Sequence, residues 1–306
     1  EFGQLPGGAI GVAGVLEWAT QEYSISPDDR LLNKDGEGWW GRSGTGGGGE
    51  RDRYAAGVEF NLPLHETFSI PLALRYDQYD DASDVDGAAT YKVGFEWRPW
   101  RQLLVRGTYG TSFRAPDMHW LFAGDSGFFT NITDYYLCRR DEPGVSFPEC
   151  THSSDQIAGN RQGNLLLEEE EGESWTFGFV WEVVDNLNLQ ADVYNIKLEG
   201  IVNDLSIDNL LQDEADCRLG VTIGGEPVDP NSEECRRTLE RINRNDFPGA
   251  PNDEQVADVT VGPINRSLQE QTGIDASLTW ILPTNTAGTW NFNAVYTHVI
   301  DSKIQE

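Results

Sequence analysis

The stretch Ser174-Trp175-Thr176-Phe177-Gly178-Phe179-Val180-Trp181-Glu182-Val183, followed after a short turn by Leu187-Asn188-Leu189-Gln190-Ala191-Asp192-Val193, decides the fold. Side chains alternate faces along a strand. Trp175, Phe177, Phe179, Trp181 and Val183 therefore share one face, with Thr176, Gly178 and Glu182 on the other. Beyond the turn at Val184 to Asn186, Leu187, Leu189, Ala191 and Val193 oppose Asn188, Gln190 and Asp192 in the same way. One face suits lipid and the other a wet lumen, the signature of a membrane-spanning β-barrel.

The same division recurs along the chain. Ile274, Ala276, Leu278 and Trp280 oppose Asp275, Ser277 and Thr279. Strands are expected at about 9–23, 52–62, 67–79, 88–98 and 102–112 as well. Ile10, Val12, Leu16 and Trp18 lie outward on the first of these, where Gly11 to Gly14 blur the register. Tyr54, Ala56, Val58 and Phe60 share a face, as do Phe68, Ile70, Leu72, Leu74 and Tyr76, while Arg75 and Asp77 fall on the opposite, lumenal one. Tyr91, Val93, Phe95 and Trp97 point outward, and Trp97 with Trp100 beside a turn fits an interfacial aromatic girdle. The expected class is all-β: a transmembrane antiparallel β-barrel.

Tight turns at Pro63 to Glu66, Arg98 to Arg101, Val184 to Asn186 and Pro283 to Gly288 alternate with longer connections. The long ones are expected at about 24–50, 113–170 and 201–266, with a short acidic link from Asp80 to Asp86. Short turns on the periplasmic side and long loops outside are the normal asymmetry of such barrels. Gly46 to Gly49 fall in the first long loop and suggest a mobile segment. They lack the Lys and Ser/Thr of a phosphate-binding Walker loop.

Composition excludes more than it identifies. No run of eighteen apolar residues is present, so helical membrane spans are excluded. The 306 residues carry 51 Asp plus Glu against 22 Lys plus Arg, a formal charge of -29, which opposes binding to nucleic acid or an anionic surface. Much of that excess sits in the inferred loops, where a solvated outer surface accounts for it. Asp204, Asp208, Asp213, Glu214 and Asp216 could bind calcium, but EF-hand spacing is absent and an ordinary acidic loop is the plainer reading. No cofactor is called for.

The run Tyr109-Gly110-Thr111-Ser112-Phe113-Arg114-Ala115-Pro116 resembles the strand-to-loop junction of TonB-dependent outer-membrane receptors. Leu5-Pro6-Gly7-Gly8, Asn61-Leu62-Pro63-Leu64 and Gln271-Thr272-Gly273-Ile274-Asp275 resemble recurrent barrel segments of that family. The sequence departs from the family after the loop, where Gly163-Asn164-Leu165 runs into Leu166-Leu167 and the acidic block Glu168 to Glu171. The resemblance implies a barrel of about 22 strands with an N-terminal plug. This chain is then expected to be part of it, incomplete at both ends and without the plug.

The resemblance further implies location in the outer membrane of a Gram-negative bacterium and active uptake rather than catalysis. The implied partners are outer-membrane lipid, a small nutrient bound outside, and the inner-membrane TonB complex acting through the plug region. A surface lipoprotein is a further possible partner. Cargo could be a ferric siderophore, haem, cobalamin, an oligosaccharide or a peptide. Arg114 is expected to anchor the junction, with Phe113 and Pro116 shaping it.

All four cysteines lie in the two longest loops. Local pairing, Cys138–Cys150 and Cys217–Cys235, is the most economical of the three connectivities that four cysteines allow. A zinc site is the rival, but paired CxxC units are absent and His152 is a lone nitrogen candidate. The first large loop also carries His119, Trp120, Phe122, Phe128, Phe129, Tyr135 and Tyr136, a heavy aromatic load for an exposed segment. These could stack on a siderophore ring or glycan face; alternatively they pack the loop over the barrel mouth.

His65, His119, His152 and His298 form no HExxH pair, and no GxSxG elbow occurs. Enzyme readings therefore lack support. The remaining alternatives are a passive porin and a soluble or surface all-β glycan-binding module. The module explains the alternation of short turns and long loops less well, and the porin explains the Phe113 to Pro116 junction less well.

Overall fold

A computed structural model describes residues 3–31 and 44–305. A small hairpin, β1 (Gln4–Leu5) and β2 (Gly8–Ala9), precedes the main sheet. That sheet has nine strands: β3 (Gly11–Ile25), β4 (Gly47–His65), β5 (Phe68–Asp80), β6 (Ala88–Trp100), β7 (Leu103–Arg114), β10 (Glu170–Val184), β11 (Leu187–Asp204), β14 (Pro263–Thr284) and β15 (Gly288–Gln305). Each pairs antiparallel with the next in chain order. The remaining strands and helices lie in the long connections.

Register carries the two-faced pattern across the sheet. One lateral row runs Val12, Phe60, Leu72, Val93, Tyr109, Trp175 through β3, β4, β5, β6, β7 and β10. Leu16, Trp18, Leu74, Tyr91, Trp97, Phe177 and Trp181 are all exposed on this apolar face. Water would not tolerate so large a patch, whereas hydrocarbon does. A single-residue slip would send every one of these side chains to the wet face, so one register is strongly favoured.

The opposite face is ion-paired. Glu17 on β3 accepts from Arg53 on β4 at 3.0 Å and from Arg75 on β5 at 2.7 Å. Arg106 on β7 reaches over β10 to Asp192 on β11, with Nη2 2.9 Å from Oδ2. The strand crossed carries Gly178, whose register partners are Arg106 and Asp192 themselves. A Cβ there would collide with the Asp192 carboxylate and the Ala191 carbonyl. Glycine is what lets the bridge span two strands.

The strands are longer than the alternation alone indicates. β4 begins at Gly47 rather than near residue 52, and the ladder pairs Ile25 with Gly47, Ser24 with Gly48 and Tyr23 with Gly49. Gly47 to Gly49 are therefore strand, not a mobile loop. The first long connection narrows to 26–46, of which 32–43 lie outside the described residues. The other long connections span 115–169 and 205–262, and the acidic link spans 81–87.

The two largest connections fold together as one cap. The first contributes α1 (Met118–Phe122), β8 (Ser126–Ile132), α2 (Tyr135–Asp141), a 3-10 turn (Phe147–Glu149) and β9 (Asp155–Arg161). The second contributes α3 (Ile207–Leu219), α4 (Glu233–Leu239), β12 (Ile242–Arg244) and β13 (Val256–Val261). Their strands form a four-stranded sheet in the order β12-β13-β9-β8, and β13 pairs with β9 in parallel. Parallel neighbours need a long crossover. Here the hairpin β10–β11 lies between them in the chain.

This cap has its own core. Ile132 and Ile157 from the first connection pack with Leu205, Leu210, Leu211, Ile242, Val256, Val259 and Val261 from the second. A fully buried aliphatic side chain contributes about 1.5–3 kcal/mol. Cys138 is bonded to Cys150, and Cys217 to Cys235. Each disulfide closes a segment within one connection, while the shared core joins the two.

Candidate functional site

The strand-to-loop junction is clamped from two sides. Arg114 at the end of β7 donates to Asp117 at 3.0 Å, lies 3.5 Å from Glu170 on β10, and packs over the Trp120 ring. The Pro116 carbonyl accepts from Arg51 Nη1 at 3.0 Å. Arg51 Nε donates to Asp81 at 2.5 Å, and its guanidinium covers Tyr79, which in turn meets Phe113 edge-on. Arg51 and Asp81 are both buried. The sequence motif therefore marks a joint among β4, β5, β7, β10 and α1.

Asp81 holds the acidic link in place. Burial pushes its carboxyl pKa up, but the Ser83 hydroxyl, Arg51 and the Ser83 amide together outweigh burial and leave it below the usual carboxylate value. Its Oδ1 accepts from both the amide and the hydroxyl of Ser83.

Glycines bring α1 against β4. Gly124 N–H donates to the Gly46 carbonyl at 2.6 Å, and Gly47 bridges Ala123 with φ 142°. A Cβ on Gly47 would strike the Phe122 carbonyl, and one on Gly49 would enter the Phe122 ring. On its other side α1 is held by Leu121, which is buried with Leu167 and Val202. Leu167 belongs to the segment that departs from the family pattern, and it supplies apolar anchorage there.

Between α1 and the inner wall lies a cavity of about 940 Å³. Arg53, Arg75, Asp77 and Tyr79 form its strand side, and Phe113 to His119 its junction side. His119 shares a 2.6 Å hydrogen bond with the Tyr23 hydroxyl. Cations, acids and aromatic rings thus face one space, suited to a polar ligand with oxygen donors and a flat ring.

The aromatic residues of the first large loop divide. His119 lines this cavity. Trp120 and Phe122 pack on the Leu121 cluster, and Phe128 and Tyr135 pack on the cap core. Tyr135 also donates to Asp208 at 2.6 Å, and burial followed by that bond pushes its pKa up to about 12. Tyr136 is covered by the guanidiniums of Arg140, Arg218 and Arg244. Phe129 is exposed.

The five acidic groups considered for calcium, Asp204, Asp208, Asp213, Glu214 and Asp216, are engaged by cations or, for Asp208, by the Tyr135 hydroxyl. Asp204 pairs with Arg161, Asp213 with Arg266, Asp216 with Arg139, and Glu214 with Arg218 and Arg244. Among the described residues no group of three or more His, Cys, Asp or Glu could hold a metal ion. Arg51 and Arg244 were not singled out by sequence reading. Each finds its partners across a long sequence separation, and no local motif marks them.

A sheet that is apolar on one face and ion-paired on the other, with tight turns at one end and a cap at the other, forms the wall of a membrane-spanning β-barrel. The chain belongs to the TonB-dependent receptor β-barrel family, described as TonB dependent receptor-like, beta-barrel, which matches residues 3–305.

Among solved structures it is similar to the siderophore receptor PirA of Acinetobacter baumannii, at 14% identity and TM-score 0.57, covering 95% of this chain and 34% of that one. It is also similar to a mutant of the ferric enterobactin receptor PfeA of Pseudomonas aeruginosa in complex with enterobactin, at 13% identity and TM-score 0.57, covering 94% and 33%. The chain thus spans about a third of the solved receptors it matches. No curated protein matches it. The family is described as receptor-like, and these neighbours as a siderophore receptor and a ferric enterobactin receptor.

Proposed function

We propose that this chain supplies wall and cap to an outer-membrane receptor of a Gram-negative bacterium, which imports a scarce nutrient with energy transduced by TonB. An iron chelate of siderophore type is the favoured cargo, and the cavity under α1 carries this reading. It joins the family junction motif, an aromatic and imidazole rim, and a charged inner wall in one space of about 940 Å³. In this reading Arg114 and His119 form the floor of the binding site, the inner wall guides passage, and the cap controls entry.

The test uses the full-length receptor in outer membranes of cells with and without TonB, supplied with a panel of radioiron-loaded siderophores. One chelate should bind in both strains and enter only where TonB is present. His119→Ala and Arg114→Gln should weaken its binding by roughly tenfold at equal receptor abundance, the loss expected for one charge-assisted or aromatic contact. Uptake indifferent to TonB would sink the energised reading. Failure of every chelate to bind would sink the siderophore assignment.

A further inference from the structure

A second cavity, of about 960 Å³, opens in the cap where the two large connections meet β14, and it shares no lining residue with the cavity under α1. Arg241, between α4 and β12, lines it. Its backbone is fixed on both sides: its amide donates to the Thr238 carbonyl at 3.2 Å and its carbonyl accepts from Thr260 at 2.8 Å. The guanidinium is half-buried and has no hydrogen-bonded or ion-paired side chain among the described residues.

That is an unusual condition in a chain with 51 carboxylates. The other cap arginines with comparable burial, Arg139 and Arg244, are both paired with acids. Burial pulls the Arg241 pKa below its ordinary value. Arg51 differs, because its free Nη2 is sealed and its guanidinium is occupied by Asp81, Pro116 and Tyr79. Arg241 faces a space that a ligand can enter.

The rest of the lining narrows the chemistry. Glu168, Asp213, Glu233, Glu234 and Glu240 line the same space together with Arg236, Arg237 and Arg266, but Arg236 and Arg237 pair with Glu233 and Arg266 with Asp213. The acids outnumber the cations and the other arginines are already paired, so a multiply charged anion such as phosphate would meet a net negative lining beside Arg241. A planar carboxylate could take the fork of Arg241 bidentately, with ligand hydroxyl or N–H groups donating to the acids. We propose that the cap cavity binds a small monocarboxylate bearing several hydroxyl or N–H donors, with Arg241 as its carboxylate anchor. The site stands independently of transport, since it would bind whether or not the barrel imports anything.

Calorimetric titration of the detergent-extracted full-length receptor with D-gluconate tests it, with sorbitol as the neutral comparator and inorganic phosphate as the multiply charged one. Gluconate should bind saturably, sorbitol and phosphate more weakly, and Arg241→Gln should lower gluconate affinity by at least ~10-fold. Arg241→Lys should fall between, since it keeps charge but loses the fork. His119→Ala should leave gluconate affinity unchanged. Hydrogen exchange of β12 and β13 checks that each variant keeps a folded cap. Absence of saturable gluconate binding, equal affinity in a folded Arg241→Gln, or tighter binding of phosphate overturns the proposal.

Discussion

Arg244 and Asp134 meet across the two large connections, with Nη1 2.7 Å from Oδ2 and Nη2 2.9 Å from Oδ1. The same guanidinium gives Nε and Nη2 to Glu214 at 2.7 and 2.6 Å, and Nη1 also donates to the Glu254 carbonyl. Every N–H of Arg244 is thereby used. Asp134 and Glu214 are fully buried. Asp134 additionally accepts from the Leu137 amide as the N-cap of α2.

Arg244→Met should destabilise the cap by about 3–5 kcal/mol, because buried Asp134 loses its cation and buried Glu214 keeps only Arg218. Hydrogen exchange of the detergent-extracted receptor should show lost protection in α2, α3 and β12, with the main sheet unchanged. Unchanged exchange in α2 would mean that the two connections are not coupled through this residue.

Removing one disulfide should loosen both connections. The Cys217–Cys235 bond closes 18 residues, and its loss by paired serine substitution should cost about 2–4 kcal/mol locally. Since α3 packs on α2, exchange should also rise across Tyr135–Asp141, a segment that contains neither Cys217 nor Cys235. An effect confined to 207–239 would show that the shared core transmits nothing.

Acid should release the 81–87 link before the sheet. The Asp81 pKa is depressed in the fold from its ordinary 3.8, so its contribution to stability is present above the unfolded value and is lost as pH falls through the lower folded one. Exchange at Ser83 and Val85, corrected for the intrinsic pH dependence, should increase below about pH 4. Asp81→Asn should remove that dependence.

Gly49→Val should detach α1 from β4, because its side chain would occupy the place of the Phe122 ring. Overpacking of this kind costs about 1–3 kcal/mol. Exchange in Met118–Phe122 should rise, and ligand affinity at the cavity under α1 should fall, while Gly49→Ala should give a smaller change in both. Full protection of α1 in the valine variant would show that the glycine is not needed for the contact.

The inner wall offers a complementary case at Gly178. Gly178→Leu should break the Arg106–Asp192 bridge and lower the temperature at which the folded barrel loses its compact mobility on gels. Asp192→Asn in the same assay should have a smaller effect, because no side chain is forced into the strand.

The main sheet was legible in the sequence because its information is local. Period-two alternation such as Trp175 to Val183 fixes faces, and short turns such as Asp185-Asn186 fix which strands are neighbours. The motif from Tyr109 to Pro116 located the junction by resemblance. The glycine run misled because glycine signals flexibility in isolation, whereas Gly47 to Gly49 serve a close approach that only the tertiary structure reveals.

What the sequence determined by itself is thus the two-faced strand, its turn pattern and the loops that hold the cysteines, all set by neighbours within a few residues. What only the tertiary structure decided is how those loops interlock and which charges meet. Arg244 and Asp134 stand 110 positions apart, and Arg51 and Pro116 stand 65 apart. No local pattern encodes such pairs; they exist because an ordered sheet brings two distant loops together, where burial makes pairing of their charges energetically necessary.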